Sequence, residues 1–408
     1  MNAPLSSPFH CVVIGAGPAG LMVAEQLAAL GHKVVVHERM PSVARKFLMA
    51  GRGGLNLTHS EQRPDFDIRY GPAKPQVASW LDGFDASALR AWADGLGAET
   101  FVGSSGRVFP KAMKASPLVR AWLDRLAQLG VDIRIRSRWT GWEGEALRFE
   151  TPQGVETIKP DVTVLALGGA SWARLGSDAA WVPWLEQRGV KVSPFVPANV
   201  GFETDWSSLM VERFAGQPLK NIAITYGTLK VRGEGMVSAY GLEGGAVYAL
   251  SADLRNGIAR EGLAKVVIDL RPDMSLEALV TALSKPRGKN SLSNHLRKTL
   301  KLDPVAVALM REAGELPSEP EGLAARIKSV ELTLKAPRGL DRAISSAGGI
   351  VREAVNGDMM LNELPGMFVC GEMLDWEAPT GGYLLQACFA SAVRASDGVQ
   401  RYLVNGKA

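Results

Sequence analysis

Apolar and polar positions near the start of the chain follow two different periods. The run Phe9–Ile14 is short, mostly apolar and followed by a glycine, whereas the apolar residues of Leu21–Leu30 recur at helical spacing. A second apolar run, Lys33–His37, follows and closes on Glu38. Short continuous runs indicate buried strands, and the longer periodic stretch indicates a helix. This strand–helix–strand order predicts a parallel α/β sheet.

The next part of the chain extends this pattern. Helices are predicted over Pro75–Gly97 and Ser116–Gly130, the second with its apolar residues on one stripe. Val131–Arg136 alternates like a half-buried strand, and Gly141–Lys159 indicates a hairpin or meander. The apolar run Val162–Leu167 then predicts another buried strand.

Beyond about Lys191 the pattern changes twice. Up to Arg271, short apolar pieces separated by glycines predict an all-β module with the strands Ile222–Tyr226, Thr228–Val231, Ala246–Leu250 and Val266–Leu270. The following stretch is helical in period, and a strand, Val330–Lys335, comes after it. Its predicted helices are Ser275–Ser284, Leu292–Thr299, Pro304–Glu312 and Glu321–Lys328.

These shifts predict a discontinuous domain organisation. Residues 1–190 and 338–408 form the two parts of a nucleotide-binding domain. A β-rich inserted domain, 191–272 and 329–337, and a helical insertion, 273–328, lie between them.

Composition fits a globular protein with a large core. Of 408 residues, 46% are hydrophobic and 22% charged, and a net charge of +4 is too small to imply a nucleic-acid partner by itself. No stretch is long enough to span a membrane, and Met1–Pro8 is too short and uncharged for a secretory signal. Cys11, Cys370 and Cys388 lie in apolar stretches, and the five histidines lack metal-ligand spacing. We expect a cytoplasmic protein without a metal site.

The first functional motif lies between the first strand and the first helix. Gly15, Gly17 and Gly20 form G-x-G-x-x-G, which provides a tight turn, close approach to a pyrophosphate and close helix packing. The helix N-terminus offers free N–H groups to phosphates. Glu38 ends the second strand, where a carboxylate binds ribose hydroxyls and disfavours a 2′-phosphate. The motif predicts a bound dinucleotide other than NADP.

Two further glycine segments favour FAD over NAD. Gly371-Glu372 follows the predicted strand Met367–Cys370, and Thr380–Tyr383 opens the apolar helix Leu384–Ala395. This arrangement resembles the FAD-binding fold of the glutathione reductase type. That resemblance implies a carboxylate near the ribitol and pyrophosphate, and helix N–H groups at the flavin ring. The segment Leu165–Gly169 is similar to the A-T-G stretch of the same fold.

Three longer segments carry a family resemblance that covers nearly the whole chain: Lys46–Thr58, Arg107–Ser116 and Gly371–Gln386. On these, the chain resembles the bacterial flavoproteins that include the bile-acid-inducible reductase and a ribosomal-RNA dihydrouridine synthase. It is most similar to the branch whose C-terminal signature reads G-E-M-L-D-W-E-A-P-T-G-G-Y. The resemblance implies an α/β fold with a glutathione-reductase-like, Rossmann-type FAD-binding domain, an inserted β-barrel-like domain and a helical domain.

One segment departs from the family pattern. Many relatives read S-G-G-G-R-C-N where this chain has Ala50–Asn56. Gly54 stands at the arginine of that pattern, although Arg52 could offer a guanidinium, and Leu55 stands at the cysteine. A thiol that could protonate a reduced double bond is therefore absent.

Several residues are candidates for chemistry or binding. Asn56 and Thr58 could bond the flavin ring, or only shape the loop. Lys46 could bind pyrophosphate or a substrate carboxylate, or be a solvated lysine. Tyr383, next to the flavin helix, could be the proton donor or only a packing residue. Tyr240 could face the flavin from the inserted domain, and His59 could approach the site. The predicted cofactor contacts are Gly15, Ala16, Gly17, Pro18, Ala19, Gly20, Glu38, Arg39, Lys46, Gly53, Gly54, Leu55, Asn56, Thr58, Ala166, Leu167, Gly168, Gly371, Glu372, Gly381, Gly382 and Tyr383.

Three motifs that are missing from the sequence exclude classes of enzyme: disulfide reductases, hydrolases with a nucleophile elbow and enzymes with a second dinucleotide site. The chain has no Cys-x-x-Cys pair, no G-x-S-x-G elbow and no second G-x-G-x-x-G, so NADH or NADPH would visit only transiently. The leading hypothesis is an FAD-dependent oxidoreductase that reduces an activated C=C bond of a small molecule, with C=N as an alternative. A basic patch, Lys285–Asn290 with Arg297, Lys298 and Lys301, keeps an RNA-modifying flavoenzyme open. A non-catalytic, redox-responsive flavin protein is a third hypothesis, and no oligomeric state is predicted.

Overall fold

A computed structural model of the chain describes residues 8–50 and 53–406. They form two compact units, each with its own hydrophobic core. Unit 1 contains residues 8–196 and 345–406, and unit 2 is Pro197–Ile344. None of the helices in these residues has the length and hydropathy needed to cross a membrane.

The strands and helices are numbered in chain order. The strands are β1 (His10–Ile14), β2 (Lys33–Glu38), β3 (Thr58–His59), β4 (Thr100–Val102), β5 (Arg107–Pro110), β6 (Asp132–Ile135), β7 (Arg138–Glu143), β8 (Ala146–Thr151), β9 (Gly154–Ile158), β10 (Val162–Leu165), β11 (Val192–Ala198), β12 (Phe202–Glu203), β13 (Pro218–Tyr226), β14 (Leu229–Ser238), β15 (Gly241–Glu243), β16 (Ala264–Asp269), β17 (Val330–Leu334), β18 (Ala336–Pro337), β19 (Ser345–Ile350) and β20 (Met367–Val369). The helices are α1 (Pro18–Ala29), α2 (Arg45–Ala50), α3 (Arg63–Ile68), α4 (Lys74–Leu81), α5 (Ala86–Asp94), α6 (Ala115–Gln128), α7 (Val182–Glu186), α8 (Ser208–Phe214), α9 (Gly245–Tyr248), α10 (Ser251–Glu261), α11 (Leu276–Leu283), α12 (Leu292–Leu300), α13 (Pro304–Glu312), α14 (Pro320–Lys328) and α15 (Tyr383–Val404).

Unit 1 is built on a five-stranded sheet in the order β20-β10-β1-β2-β6, with every neighbouring pair parallel. Its central strands β1 and β10 are buried along almost their whole length, which explains their continuous apolar sequences. Because the strands are parallel, the carboxyl ends of β1, β2, β10 and β20 lie at the same edge of the sheet. The predicted parallel α/β sheet is confirmed.

The local predictions in unit 1 hold with one exception. The predicted meander after β6 is the three-stranded sheet β7-β8-β9. The single helix predicted over Pro75–Gly97 is wrong, because this stretch forms α4 and α5. Asp85 caps the second helix by accepting a hydrogen bond from the backbone N–H of Ala88, which fixes a new helix start.

Unit 2 contains a seven-stranded sheet in the order β17-β16-β13-β14-β15-β12-β18. Its two outer strands, β17 and β18, are separated in sequence only by Lys335, whose N–H bonds the carbonyl of Glu203 in β12. The sheet therefore closes on itself in a barrel-like manner. Residues of α11–α14 and of the sheet share one hydrophobic core.

The all-β prediction for the stretch up to Arg271 is wrong, since α8, α9 and α10 lie within it. The predicted strand Ala246–Leu250 belongs to this error, because Gly245–Tyr248 is helical. Ala246 and Val247 are both buried, and a short buried apolar run has no period that separates a strand from a helix.

A buried carboxylate ties α1 to the helices that cover it. Glu25 in α1 is 6% exposed and accepts hydrogen bonds from the indole N–H groups of Trp92 and Trp122 at 3.0 and 2.6 Å. Its other oxygen accepts from the guanidinium of Arg125 at 3.0 Å. Three elements, α1, α5 and α6, are thus joined through one side chain.

We expect Glu25→Ala to lower the free energy of unfolding by about 3–5 kcal/mol, because it leaves two buried indole donors and a guanidinium without their acceptor. Denaturant unfolding followed by circular dichroism measures the change. Glu25→Gln is the matched control, since its amide oxygen retains one acceptor, and it should lose less. Equal stability of the two variants would contradict this account.

Candidate cofactor site

Backbone contacts hold the loop between β1 and α1 and leave no room for a side chain at two of its three glycines. A Cβ atom on Gly15 would lie 2.3 Å from the carbonyl oxygen of Ala166, and Gly15 has a φ of +105°. A Cβ on Gly20 would lie 1.9 Å from the carbonyl oxygen of Gly15. At Gly17, a Cβ would meet no described atom within 4 Å, and Pro18 begins α1 directly afterwards. The loop is closed towards the sheet and open at Gly17, as a pyrophosphate-binding loop requires.

Glu38 braces this loop from the end of β2. Its Oε2 accepts a hydrogen bond from the N–H of Ala16 at 2.9 Å, and its Oε1 accepts one from Met40 at 2.8 Å. Arg39 forms an ion pair with Asp178 at 2.7 Å, while its buried Nε meets no partner in the described part of the chain. Each carboxylate oxygen of Glu38 keeps a lone pair, so it can also accept a ribose hydroxyl.

The segment after β10 lies directly beside the glycine loop. Ala166 contacts Gly15, and the N–H of Leu167 points to the sulfur of Met373 at 3.1 Å. Gly168 has a φ of +76°, and its carbonyl accepts a hydrogen bond from the indole N–H of Trp181. These contacts give the predicted A-T-G-like stretch a fixed course past the loop.

An ion pair joins a segment near the start of the chain to a segment near its end. Lys46 in α2 donates to Glu372 Oε2 at 2.8 Å and to the hydroxyl of Ser171 at 3.0 Å. The second oxygen of this carboxylate, Glu372 Oε1, is buried and has no hydrogen-bond partner among the described residues. A Cβ on Gly371 would lie 3.0 Å from the Cβ of Ala19 in α1, so Glu372 stands next to the first turn of that helix.

Backbone hydrogen bonds fix the segment before β3. Leu55 and Leu57 are fully buried, and their N–H groups donate to the carbonyls of Met113 and Val108, both at 2.9 Å. Asn56 lies between them, and its Oδ1 is buried without a partner in residues 8–50 and 53–406. A buried acceptor of this kind calls for a donor.

The glycines of this segment differ in their surroundings. Gly54 has a φ of +121°, and a Cβ there would lie 2.8 Å from the Cε of Met113, whereas a Cβ on Gly53 would meet nothing described within 4 Å. Gly51 and Arg52, including the predicted guanidinium, lie outside the described residues. Leu55, the residue expected to stand at the cysteine of the family pattern, is a fully buried core side chain.

The start of α15 abuts the same segment. Gly381 and Gly382 have φ values of +136° and +94°, and a Cβ on Gly382 would lie 2.5 Å from the Cα of Thr58. The hydroxyl of Thr58 is fully buried and donates to Gln386 Oε1 at 2.8 Å. The Gln386 amide in turn donates to the carbonyl of Phe84. Thr58 thus anchors α15, and its hydroxyl proton is already used.

Tyr383 is the first residue of α15 and belongs to a charged cluster. Its hydroxyl donates to Glu61 Oε2 at 2.9 Å, and Glu61 is paired with Arg69, which lies over the tyrosine ring. Burial and this hydrogen bond raise the pKa of Tyr383. Although burial raises the pKa of Glu61, the hydrogen bonds from Arg69 and Tyr383 hold the pKa below its usual value. His59 stacks on the same ring at 5.4 Å.

Sequence reasoning missed Glu61 and Arg69 in this cluster. They lie in a polar stretch that carries no motif, far from Tyr383 in sequence. Only the packing of α3 against the start of α15, where the rings of Phe66 and Tyr383 lie 4.9 Å apart, reveals the connection.

Tyr240, the remaining candidate, belongs to unit 2. Its hydroxyl donates to Glu243 Oε2 at 2.6 Å, and the guanidinium of Arg338 lies 4.6 Å from its ring centre. Burial, followed by the hydrogen bond to Glu243, raises its pKa. The hydroxyl is therefore neutral and committed to an internal acceptor.

The cysteines are protonated core residues. Burial raises the pKa of Cys11 and of Cys370 to about 12, and raises that of Cys388 well above its usual value. In the described part of the chain, no three His, Cys, Asp or Glu side chains are grouped to hold a metal ion.

These features fit a flavin dinucleotide. The open side of Gly17 suits a pyrophosphate, and two acceptors that lack a donor within the described residues, Glu372 Oε1 and Asn56 Oδ1, suit hydroxyl and N–H donors. The N-terminus of the 22-residue α15 adds free N–H groups beside Thr58.

Two proteins of known name are similar to the chain over nearly its whole length. The chain is 25% identical over 404 residues to 3-dehydro-bile acid delta(4,6)-reductase of Clostridium scindens, covering 94% of this chain and 97% of that protein. It is 24% identical over 409 residues to ribosomal RNA dihydrouridine synthase of Escherichia coli, covering 94% and 96%.

Solved structures show the same fold at low sequence identity. A flavocytochrome c3 fumarate reductase in its open conformation aligns with a TM-score of 0.52 at 13% identity, over 97% of this chain and 79% of that chain. A 3-ketosteroid-delta4-(5alpha)-dehydrogenase from Rhodococcus jostii RHA1 aligns with a TM-score of 0.50 at 13% identity, over 97% of both chains.

The resemblance predicted from the sequence is confirmed. The HI0933-like protein Rossmann domain matches residues 9–398, which is almost the whole chain. The chain therefore belongs to the HI0933-like protein family.

Proposed function

We propose that this protein is an FAD-dependent oxidoreductase that reduces an activated C=C bond of a small molecule. The observation that carries the proposal is the pair of buried acceptors, Glu372 Oε1 and Asn56 Oδ1, which have no donor among the described residues. Glu372 follows Gly371, which packs on Ala19 beside the glycine loop with its open phosphate position, and Asn56 precedes the segment that abuts the start of α15 at Gly382. A dinucleotide with a ribitol chain and a flavin ring supplies suitable donors.

Each part of the site has a role in this proposal. The glycine loop and the N-terminus of α1 bind the pyrophosphate, and Glu38 binds the adenosine ribose. Glu372 accepts from the ribitol, while Asn56 and the first N–H groups of α15 face the flavin ring. When bound, FAD supplies hydride transfer through its N5 atom. The N-terminus of α15 stabilises negative charge on the reduced ring.

The candidate hydroxyl groups of the chain are poorly suited to protonating a substrate. Those of Thr58, Tyr240 and Tyr383 already donate to Gln386, Glu243 and Glu61, respectively. Burial, followed by the hydrogen bonds to carboxylates, raises the pKa of both tyrosines and makes them weaker acids. Leu55 offers no proton. We therefore propose that the proton comes from water and that Tyr383 orients the start of α15.

The substrate class rests on the relatives. One is named for reduction of a bile acid and another for formation of dihydrouridine in ribosomal RNA, and both names describe loss of a C=C bond. NADH or NADPH is the proposed hydride source, as a transient visitor.

An RNA substrate is the second candidate, favoured by one surface of unit 2. Lys285, Arg287, Lys289, Arg297 and Lys298 are all exposed there. Exposed cationic side chains suit contacts with phosphates.

We expect the purified protein to bind FAD. Under anaerobic conditions, NADH or NADPH should bleach the absorbance band of the oxidised flavin at about 450 nm. Enones, quinones and unmodified ribosomal RNA are then added separately to the reduced protein. One of these classes should reoxidise the flavin and restore its absorbance. Reoxidation by RNA alone would move the substrate to the second candidate. A flavin that neither nicotinamide nor any acceptor perturbs would favour a non-catalytic redox-responsive protein.

Glu38→Ala should weaken FAD binding at least about tenfold, because the N–H of Ala16 loses its acceptor and the ribose loses a carboxylate. Quenching of flavin fluorescence on binding gives the dissociation constant. Glu38→Gln keeps one acceptor oxygen and should lie between wild type and Glu38→Ala. Full flavin occupancy in Glu38→Ala would refute the assignment of this site.

Tyr383→Phe tests the source of the proton. We expect reoxidation of the reduced flavin by its acceptor to change less than about threefold, whereas loss of a general acid slows such a step by roughly 10²–10⁴. Stopped-flow absorbance measures the rate, and Phe66→Leu, which alters packing on the same ring, is the control. A hundredfold loss confined to Tyr383→Phe would make Tyr383 the proton donor.

A further inference from the structure

Lys46 does not stand alone at the cofactor site. Its ammonium group lies between the carboxylate of Glu372 and the hydroxyl of Ser171, at 2.8 and 3.0 Å. The side chains of the ion pair are mostly buried, with 23% of Lys46 and 12% of Glu372 exposed. The ammonium group is therefore directed at a carboxylate, which differs from the direct phosphate or substrate contact considered from the sequence.

The backbone places this pair beside the phosphate-binding loop. The N–H of Ala44, just before α2, donates to the carbonyl of Ala16 at 2.8 Å. On the other side, Gly371 packs on Ala19 in the first turn of α1. Lys46 therefore follows closely after a residue bonded to the glycine loop, and Glu372 directly follows a residue packed on the helix that this loop begins.

The charges at this position explain why the pair is needed. A pyrophosphate brings negative charge to the loop. An uncompensated carboxylate next to the loop would repel this ligand, because solvent screens charges only weakly at a partly buried site. The free oxygen Glu372 Oε1 is nevertheless well suited to accept a hydroxyl hydrogen bond. An adjacent cation permits both, because it offsets the charge and holds the carboxylate in one orientation.

We propose that Lys46 is a positioning residue that acts on FAD through Glu372, allowing a carboxylate to serve as a hydroxyl acceptor close to the pyrophosphate. This inference rests on the proposed function for the identity of the ligand. Lys46 makes its essential contact with Glu372, and the phosphates are held by the glycine loop and α1.

A double-mutant cycle on the full-length protein separates this role from direct phosphate binding. FAD dissociation constants are measured by flavin fluorescence for wild type, Lys46→Met, Glu372→Gln and the double variant. We expect Lys46→Met to weaken binding about tenfold or more, because it leaves a charged carboxylate unpaired. Lys46→Arg, which preserves the cation, should stay within about threefold.

The decisive comparison is made in the Glu372→Gln background. If Lys46 acts through Glu372, the double variant binds FAD as Glu372→Gln does, and more tightly than Lys46→Met. If Lys46 bound phosphate directly, its removal would weaken binding equally in both backgrounds, and this result overturns the proposal. The comparison between Glu372→Gln and the double variant holds even if Lys46→Met folds poorly.

Two further measurements complete the test. The midpoint potential of the bound flavin should fall in Lys46→Met and recover in the double variant, a signature that general loosening of the fold would not give. Lys111 and Glu99 form an exposed ion pair, so Lys111→Met and its double variant with Glu99→Gln are matched controls that should leave FAD affinity unchanged. Absence of FAD binding by wild type would refute the proposed function, whereas additive effects would refute only the role of Lys46.

Discussion

The site depends on one steric constraint, the direct contact of backbone with backbone at the first glycine loop. Space for a side chain is missing at Gly15 and at Gly20, because carbonyl oxygens lie at 2.3 and 1.9 Å from where their Cβ atoms would be. This contact packs α1 against the edge of the sheet. It also positions Ala16, whose N–H donates to Glu38 and whose carbonyl accepts from the N–H of Ala44. Glu38 and the helix that carries Lys46 are both positioned by the same two glycines.

Two glutamates of unit 1 show how hydrogen bonding separates support from binding. Glu25 is buried and its carboxylate accepts from two indoles and a guanidinium, so its capacity is spent within the protein. Glu372 is almost as buried, but one of its oxygens has no donor in the described part of the chain. A satisfied carboxylate holds helices together, whereas an unsatisfied one is available to a ligand.

Local patterns made part of this structure predictable. The G-x-G-x-x-G loop, the acidic end of β2 and the parallel sheet follow from residues within one strand–helix–strand unit, and they are confirmed as structure. The break between α4 and α5 was not predictable from apolar period, because a side-chain cap at Asp85 decides it. The pairs Lys46–Glu372 and Tyr383–Glu61 join residues far apart in sequence, and only the folded sheet brings them together.

The position of β20 in the main sheet has a consequence for synthesis of the chain. β20 pairs with β10, yet all of unit 2 lies between them in sequence. On the ribosome, the first four strands of the sheet emerge long before their edge partner, and β10 presents unpaired backbone groups during that interval. Glu372 and α15, to which we assign part of the proposed FAD site, also emerge late. The nascent chain therefore passes through a stage with an open sheet edge and an incomplete site, when it is most exposed to aggregation.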